Sequence, residues 1–186
     1  MYRTLHPSPV GDIQLQADDE GRLTGLYLRH DGDGGDGPFD AAREQLDAYF
    51  AGELEAFDLP LAPHGTPFQL RVWDELTRIP FAETISYKEL ALRLGDVKLV
   101  RAVGLANGRN PLSIVIPCHR VIGADGTLVG YGGGLERKRW LLDHEAVASG
   151  RRLAIGPSRP SGHQVESNVP GRATGGSSRT VGSVNA

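Results

Sequence analysis

Three helix starts follow one another in the middle of the chain, and they constrain its fold more than any other feature. Thr66 is an N-cap residue followed by a proline at the first helical position. Ser86, with a glutamate three residues later, opens a second helix, and Asp96 opens a third directly after Gly95. Two short helices joined by a tight turn that contains glycine are typical of a helix-turn-helix. The sequence therefore predicts a helix-turn-helix over residues 86–108.

Further elements are predicted after this motif. Residues 113–116 and about 121–129 are rich in β-branched residues and would add strands that form a wing. Leu135 to Val147 then gives a last helix. We interpret residues 66–150 as one winged-helix-like domain.

The first 65 residues predict a small separate α+β domain. Residues 10–16 alternate apolar and polar side chains, as a half-buried strand does, and residues 23–28 return as its partner. Between residues 39 and 50 the apolar side chains recur at helical spacing, and residues 54–61 give another short extended stretch. The fold class predicted for the whole chain is therefore α+β.

The composition changes after Gly150. From there on Gly, Ser, Arg and Pro dominate, and aromatic residues are absent. Such a segment cannot bury enough apolar surface to offset the entropy cost of ordering it. We expect residues 151–186 to form a disordered tail.

Charge is unevenly distributed along the chain. Residues 1–65 carry 4 Lys and Arg against 13 Asp and Glu, a net charge of −9. The net charge is +2 for residues 66–150 and +4 for residues 151–186. A polyanionic ligand is therefore expected to bind the second segment and not the first, although a net charge of +2 does not distinguish this from an ordinary mixed surface.

Two further features bear on the surroundings of the protein. No stretch approaches the roughly 20 apolar residues that span a bilayer, and the N-terminus lacks the apolar run of a signal peptide. One unpaired cysteine fits a reducing compartment. We expect a cytoplasmic monomer with no membrane partner.

Cys118 is the only cysteine of the chain, so it cannot form an intramolecular disulfide. His119 and Arg120 follow it directly, and Pro117 bends the backbone there. Thiols react as thiolates, and a neighbouring base or cation lowers the thiol pKa. These neighbours favour a reactive cysteine, while an inert buried thiol remains the alternative.

The motif Pro117-Cys118-His119-Arg120-Val121 resembles the active site of the O6-alkylguanine-DNA alkyltransferases, together with Asn110-Pro111 upstream and His144-Glu145 downstream. The resemblance runs from about Phe68 to Glu145, with weaker support from the first 65 residues. It implies a ribonuclease H-like N-terminal α/β domain followed by a winged helix-turn-helix catalytic domain. It also implies DNA repair, in which an alkyl group, such as methyl, moves irreversibly and in a single turnover from O6-alkylguanine in double-stranded DNA to Cys118. Repair of O4-methylthymine is left open.

The same resemblance assigns roles to residues around the thiol. Cys118 is the acceptor, His119 activates it through a water molecule, and Glu145 orients His119. Asn110 braces the turn that presents the cysteine. Because the target atom is stacked inside the duplex, the nucleotide must be extruded into a pocket.

Residues of the third helix match the family positions that contact DNA. Arg101 matches the finger arginine that enters the duplex from the minor-groove side and fills the vacated stack. Ala102 and Gly104 are small, which permits close approach of that helix. Leu105 stands where some relatives have glycine, so the contact is expected to differ there in detail.

The remaining matched positions are expected to contact the substrate. Tyr87 matches the tyrosine that donates a hydrogen bond to the guanine ring. Tyr131 and Gly132 lie in a loop that closes over the base, and Lys138 is expected near the departing base. Arg120 completes the set of predicted substrate or DNA contacts.

No metal or other cofactor is predicted, because one cysteine and six scattered histidines show no ligand spacing. The acidic, glycine-rich loop at residues 31–38 lacks the fifth and twelfth ligands of a helix-loop-helix calcium site, so we interpret it as a mobile loop. Two other functions stay open. One is a DNA-binding module without chemistry, such as an alkyltransferase-like sensor or a winged-helix regulator. The other is a Cys-His hydrolase.

Overall fold

The computed structural model of the chain describes residues 1–28, 35–153 and 155–157. Part of the predicted acidic loop at residues 31–38 and most of the predicted tail at residues 151–186 therefore lie outside the described residues. The described residues form a mixed fold of helices and strands, as the sequence predicts.

A three-stranded antiparallel sheet opens the fold. Its strands lie in the order β1-β2-β3 and span Tyr2–His6, Ile13–Ala17 and Leu23–Tyr27. The two predicted strands correspond to β2 and β3, whereas β1 was not predicted. Its buried side chains include Thr4 and His6, so the strand lacks the alternation of apolar residues that marks a half-buried strand.

Helix α1 follows the sheet and spans Asp40–Ala51. Its buried residues Leu46 and Tyr49 share one apolar core with residues of β2 and β3. The predicted extended stretch at residues 54–61 makes a single parallel bridge to β3, between Leu61 and Leu23.

The predicted helix-turn-helix is confirmed. The Thr66 side chain accepts from the Gln69 amide, and the Gln69 side chain accepts from the Thr66 amide, which completes a capping box. The Ser86 and Asp96 side chains cap the next two helical segments. Gly95 has φ of 108°, a left-handed conformation that favours glycine, and it ends the second helix. The elements are α2 (Pro67–Thr77), α3 (Tyr87–Arg93), a 3-10 turn (Val97–Leu99) and α4 (Val100–Gly108).

The predicted wing is wrong at residues 113–116 and is present only in part at residues 121–129. Residues 113–116 form turns, and Ile114 has φ of 73°, which breaks an extended run. Only Val121–Ile122 forms a strand (β5), and it pairs in parallel with Ile85–Ser86 (β4). The chain then turns back, because the Gly123 amide donates to Thr127 O over 2.8 Å.

Helix α5 spans Leu135–Ser149 and ends at Gly150, a left-handed cap. Beyond it, Leu153 and Ile155 pack against a small apolar cluster that includes Leu142. The sequence predicts a disordered tail from residue 151, but Leu153 and Ile155 are packed against the protein. No helix among the described residues has the length and apolar composition to cross a membrane.

The first part of the chain is joined to the second by an apolar core and by backbone hydrogen bonds. The core includes Leu26 of β3, Tyr49 of α1 and Leu76 of α2. The Leu26 amide donates to Pro111 O over 2.7 Å, and the Ser113 amide donates to Leu26 O over 3.1 Å. Strand β3 therefore supports the loop that leads to the cysteine.

Candidate active site

A compact turn presents Cys118, and Asn110 braces it. The Asn110 side chain donates to Ile116 O over 2.7 Å through Nδ2 and accepts from the Leu112 amide over 3.0 Å through Oδ1. The Cys118 amide donates to Ile116 O over 2.8 Å. Cys118 opens a 3-10 turn, Cys118–Arg120, and is only 4 % exposed. The side chain of Asn110 thus braces the bend, which is the role that the family resemblance implies for it.

His119 and Glu145 form a fully buried pair. His119 Nε2 and Glu145 Oε1 lie 2.7 Å apart, and neither side chain is exposed. A carboxylate can only accept, so Nε2 carries the proton and Nδ1 is left as an acceptor. Nδ1 is buried and has no hydrogen-bond partner within the described part of the chain. Burial lowers the pKa of His119 against the opposing effect of Glu145, so the ring is a neutral base.

Glu145 is held as an anion by four donor residues from three parts of the fold. Burial by itself opposes ionisation, but the contacts with His119 and with the Arg120 guanidinium outweigh it and keep the pKa of Glu145 far below its ordinary value. The Ala82 amide donates to Oε2 over 3.0 Å, and the Tyr49 hydroxyl donates to Oε1 over 2.9 Å. The pattern of charged and neutral donors fixes the carboxylate on all sides.

Arg120 does not face a DNA surface, which corrects its predicted role as a substrate or DNA contact. Its side chain is buried, and its Nε and Nη2 donate to Glu145 over 2.9–3.2 Å. Nη1 donates to Ile79 O over 2.7 Å, and the guanidinium lies 5.6 Å from the centroid of the Phe81 ring. All of the donor nitrogens point into the protein, so Arg120 stabilises the Glu145 anion.

Burial also decides the ionisation of the thiol. Burial raises the pKa of Cys118, while the Asn110 side chain and the charge of Lys138 oppose the rise. The net direction is opposite to the lowering that the basic neighbours in the motif predict, because desolvation of a thiolate in this interior is the larger effect. The resting thiol is therefore protonated at neutral pH and needs a base to react.

Lys138 is fully buried in α5 and ties two segments together. Its Nζ donates to Val121 O over 2.6 Å and to Val129 O over 2.9 Å. Nζ also lies 5.8 Å from the centroid of the Tyr87 ring. Burial lowers its pKa to about 8, against the opposing effect of Cys118. Lys138 therefore lies beside Tyr87, and its expected place near the departing base stays a prediction.

Tyr87 and Asn107 form a polar contact beside the cysteine. The Tyr87 hydroxyl lies 3.3 Å from the carbonyl oxygens of Val129 and Gly130. Asn107 Nδ2 lies 3.4 Å from the Tyr87 hydroxyl and 3.4 Å from Cys118 O. Burial raises the pKa of Tyr87 to about 12, so its hydroxyl remains a donor, and the Asn107 hydrogen bond opposes that rise. Asn107 was not predicted, although an asparagine on the apolar face of a helix is itself an unusual signal.

The outer face of α4 carries the predicted DNA contacts away from this buried cluster. Arg101 and Ala102 are exposed, and so is Leu105, which is 57 % exposed. Gly104 faces the other way, because a Cβ built on it would lie 3.9 Å from the Tyr87 ring. Arg101 therefore does not join the cluster around Cys118, but it lies on the helix that supplies Asn107.

The predicted base-covering loop lies at the edge of a cavity. Tyr131 is partly buried and Gly132 is exposed. The cavity has a volume of about 340 Å³ and is lined by Gly132, Asn110 and Ser113, with Tyr27 and Leu28 from the end of β3 among the other lining residues. The cavity thus adjoins the turn that presents the cysteine. Among the residues that the structure describes, no cluster of three or more His, Cys, Asp or Glu could hold a metal ion.

Two family models match the chain in succession. The ribonuclease-like domain of 6-O-methylguanine DNA methyltransferase matches residues 1–63, and the DNA binding domain of the same protein matches residues 67–147. The chain belongs to the 6-O-methylguanine DNA methyltransferase family. Both the resemblance seen in the cysteine motif and the predicted ribonuclease-like N-terminal fold are confirmed.

Curated relatives support the same family. The methylated-DNA–protein-cysteine methyltransferase of Methanosarcina acetivorans is 46 % identical over 153 residues, which cover 78 % of this chain and 98 % of the relative. The protein of that name from Mycobacterium tuberculosis is 50 % identical over 152 residues, which cover 77 % and 91 %.

Solved structures agree with this assignment. The M. tuberculosis O6-methylguanine methyltransferase has a TM-score of 0.73 at 46 % identity and covers 79 % of this chain and 93 % of its own. A crystal structure of M. tuberculosis OGT in complex with DNA also has a TM-score of 0.73 at 46 % identity, covering 80 % and 94 %.

Proposed function

We propose that this chain repairs DNA by moving an alkyl group, such as methyl, from O6-alkylguanine in double-stranded DNA to Cys118. One observation carries the assignment of the acceptor. The chain belongs to a family whose members are named protein-cysteine methyltransferases, and it contains a single cysteine. That cysteine lies beside the buried His119–Glu145 pair, which supplies the base that a protonated thiol requires.

The transfer begins with activation of the thiol. His119 Nδ1 takes the proton of Cys118, directly or through a water molecule, while Nε2–H stays bonded to Glu145. The resulting imidazolium lies against a carboxylate that is already ionised. Because the positive charge forms next to this anion, the ion pair stabilises the thiolate inside the protein.

The second step is a displacement at carbon. The Cys118 thiolate attacks the alkyl carbon, the bond between that carbon and O6 breaks, and its electron pair passes to the guanine. The Tyr87 hydroxyl, which burial keeps protonated, donates a hydrogen bond to the ring as its negative charge develops. The proton that His119 took from the thiol then passes to the guanine anion, so the products are neutral guanine and a thioether on Cys118, and His119 returns to its neutral form. A thioether is not cleaved under physiological conditions, so each molecule acts once.

DNA is held by the helix-turn-helix. We infer that the exposed face of α4 enters the minor groove, with Arg101 filling the stack after the target nucleotide is extruded into the site. Tyr131 and Gly132 would close over the extruded base, beside the cavity lined by Asn110. The net charge of +2 on residues 66–150 against −9 on residues 1–65 favours DNA contact through the second segment.

We further propose that the two domains divide near residue 65, and that the protein is a monomer of a reducing compartment such as the cytoplasm. The unpaired Cys118 supports the assignment to a reducing compartment, because a reactive thiol would be oxidised in an oxidising one.

Intact-mass spectrometry tests the proposed function. The protein is incubated with a duplex that contains one O6-methylguanine, and with the same duplex without the lesion as the control. We expect the lesion alone to add one methyl group, retained on the peptide that contains Cys118. An unchanged mass would indicate a DNA-binding module without chemistry, and an adduct that disappears with time would indicate a hydrolase.

A further inference from the structure

Tyr49 of the N-terminal part is bonded to two consecutive residues of the catalytic helix α5. Its hydroxyl donates to Glu145 Oε1 over 2.9 Å, across 96 residues of sequence. Its backbone carbonyl lies 2.7 Å from His144 Nε2, which donates to it. Helix α1 is therefore fixed to α5 at the residue that orients the proposed base.

The phenol ring is held rigidly and stays protonated. Tyr49 is fully buried, with its ring centroid 5.4 Å from Phe57, 6.2 Å from Phe81 and 5.3 Å from His144. Burial, reinforced by the Glu145 charge, raises the pKa of Tyr49 well above its ordinary value. The hydroxyl is thus a permanent donor, and its direction is set by packing.

The Tyr49 hydroxyl bonds the same Glu145 oxygen that accepts from His119, the proposed base. Tyr49 and His119 both bond Oε1, whereas the Ala82 amide bonds Oε2. Arg120 bonds both oxygens and by itself would allow the carboxylate to turn toward the guanidinium. The Tyr49 hydroxyl opposes that turn and keeps Oε1 directed at His119 Nε2.

We propose that Tyr49 is a positioning residue of the alkyl-transfer reaction, and that through it the N-terminal domain takes part in activating Cys118. The inference rests on the proposed function, because it concerns the same His119–Glu145 pair. With Oε1 fixed, His119 keeps the tautomer in which Nδ1 is free to accept the thiol proton. Without the hydroxyl, Oε1 can turn away from Nε2, which weakens the contact that favours protonated His119. His119 then becomes a poorer proton acceptor, and the thiol ionises only at higher pH.

The test is a pH–rate profile of the full-length Tyr49→Phe variant, which keeps the ring and removes the hydroxyl. The probe is the free base O6-benzylguanine, and the readout is single-turnover alkylation of Cys118. We expect a rate about tenfold below wild type near pH 7, with the rise of rate displaced to higher pH by about one unit. At alkaline pH, high enough for hydroxide to ionise the buried thiol without His119, the two rates should converge to within about twofold.

Two control variants separate positioning from packing. Phe57→Leu weakens the packing around the Tyr49 ring without touching Glu145, so it should lower the melting temperature and leave the shape of the profile unchanged. Tyr2→Phe removes an exposed hydroxyl from β1 of the same domain and should change neither.

The outcomes are distinct. A Tyr49→Phe profile that matches wild type, or one lowered equally at every pH, would overturn the positioning role. If wild-type protein is not alkylated at Cys118 at all, the proposed function fails instead. A melting temperature of Tyr49→Phe no lower than that of Phe57→Leu shows that any displaced profile does not come from loss of packing.

Discussion

The carboxylate of Glu145 accepts a hydrogen bond from His119 Nε2 over 2.7 Å, and neither side chain is exposed. This contact selects the tautomer that leaves Nδ1 as the acceptor. Burial lowers the pKa of His119 and raises that of Cys118, so neither group is charged before the substrate arrives. The Cys118–His119 pair is therefore neutral at rest and separates charge only during transfer, next to the Glu145 anion.

Glu145→Gln is expected to slow alkyl transfer by about 10²- to 10⁴-fold, because an amide provides no negative charge to stabilise protonated His119. The measurement is the single-turnover rate of methyl transfer from duplex DNA. Asp143→Asn, an exposed position on the same helix, is the matched control and should leave the rate unchanged. A Glu145→Gln rate within about threefold of wild type would refute the role of Glu145.

Asn107→Ala is expected to reduce transfer about tenfold, because it removes the donor to both the Tyr87 hydroxyl and Cys118 O. If Asn107 acts through Tyr87, the losses in Asn107→Ala and Tyr87→Phe should not add in the double variant. Rates for the two single variants and the double variant on the same duplex measure this coupling. Fully additive losses would show that Asn107 and Tyr87 act independently.

Arg101→Ala should slow repair of an alkylated duplex and leave the reaction with free O6-benzylguanine nearly unchanged, because a free base needs no extrusion. The informative quantity is the ratio of the two rates in the variant, divided by the same ratio in wild type. Lys98→Ala, also exposed and just before the start of α4, controls for the loss of one positive charge. Equal losses on both substrates would place Arg101 in a supporting role for the pocket or the fold.

Lys138 gives a prediction about stability and pH. Burial lowers its pKa from 10.5 to about 8, so between these values the unfolded chain binds a proton that the folded protein does not. The contribution of Lys138 to stability therefore rises with pH over this interval. Measured against Lys138→Met by chemical denaturation, wild type should gain about 2 kcal/mol between about pH 7 and pH 9.5. A difference that stays constant with pH would mean that Lys138 is charged in the folded protein.

Local signals in the sequence were sufficient for the helices. Thr66, Ser86 and Asp96 each act as the cap that their residue type predicts, and Gly95 takes the left-handed conformation between the second and third starts. These features depend on neighbours within a few residues. The local sequence is therefore almost sufficient to predict where these helices begin and end.

Long-range contacts could not be predicted in the same way. The β-branched run at residues 113–116 favours a strand, but the Asn110 side chain and the positive φ of Ile114 bend it into a turn. Arg120 lies close to the cysteine in sequence, yet its partner Glu145 is 25 residues away. Because Glu145 is buried, the Arg120 side chain is buried with it. Tyr49 has the apolar spacing of an ordinary core residue, and only the folded structure brings its hydroxyl to Glu145.

We propose that Cys118 alone accepts the alkyl group. The most direct measurement is uptake of radiolabelled methyl from O6-methylguanine duplex DNA by wild type and by Cys118→Ser, at equal folded concentration and equal DNA affinity. A hydroxyl is far less ionised than a thiol at neutral pH, so the variant should fold and bind DNA but take up no label. Wild type should take up one methyl group per molecule. Uptake of label by Cys118→Ser would contradict the account, because no other cysteine is present to receive it.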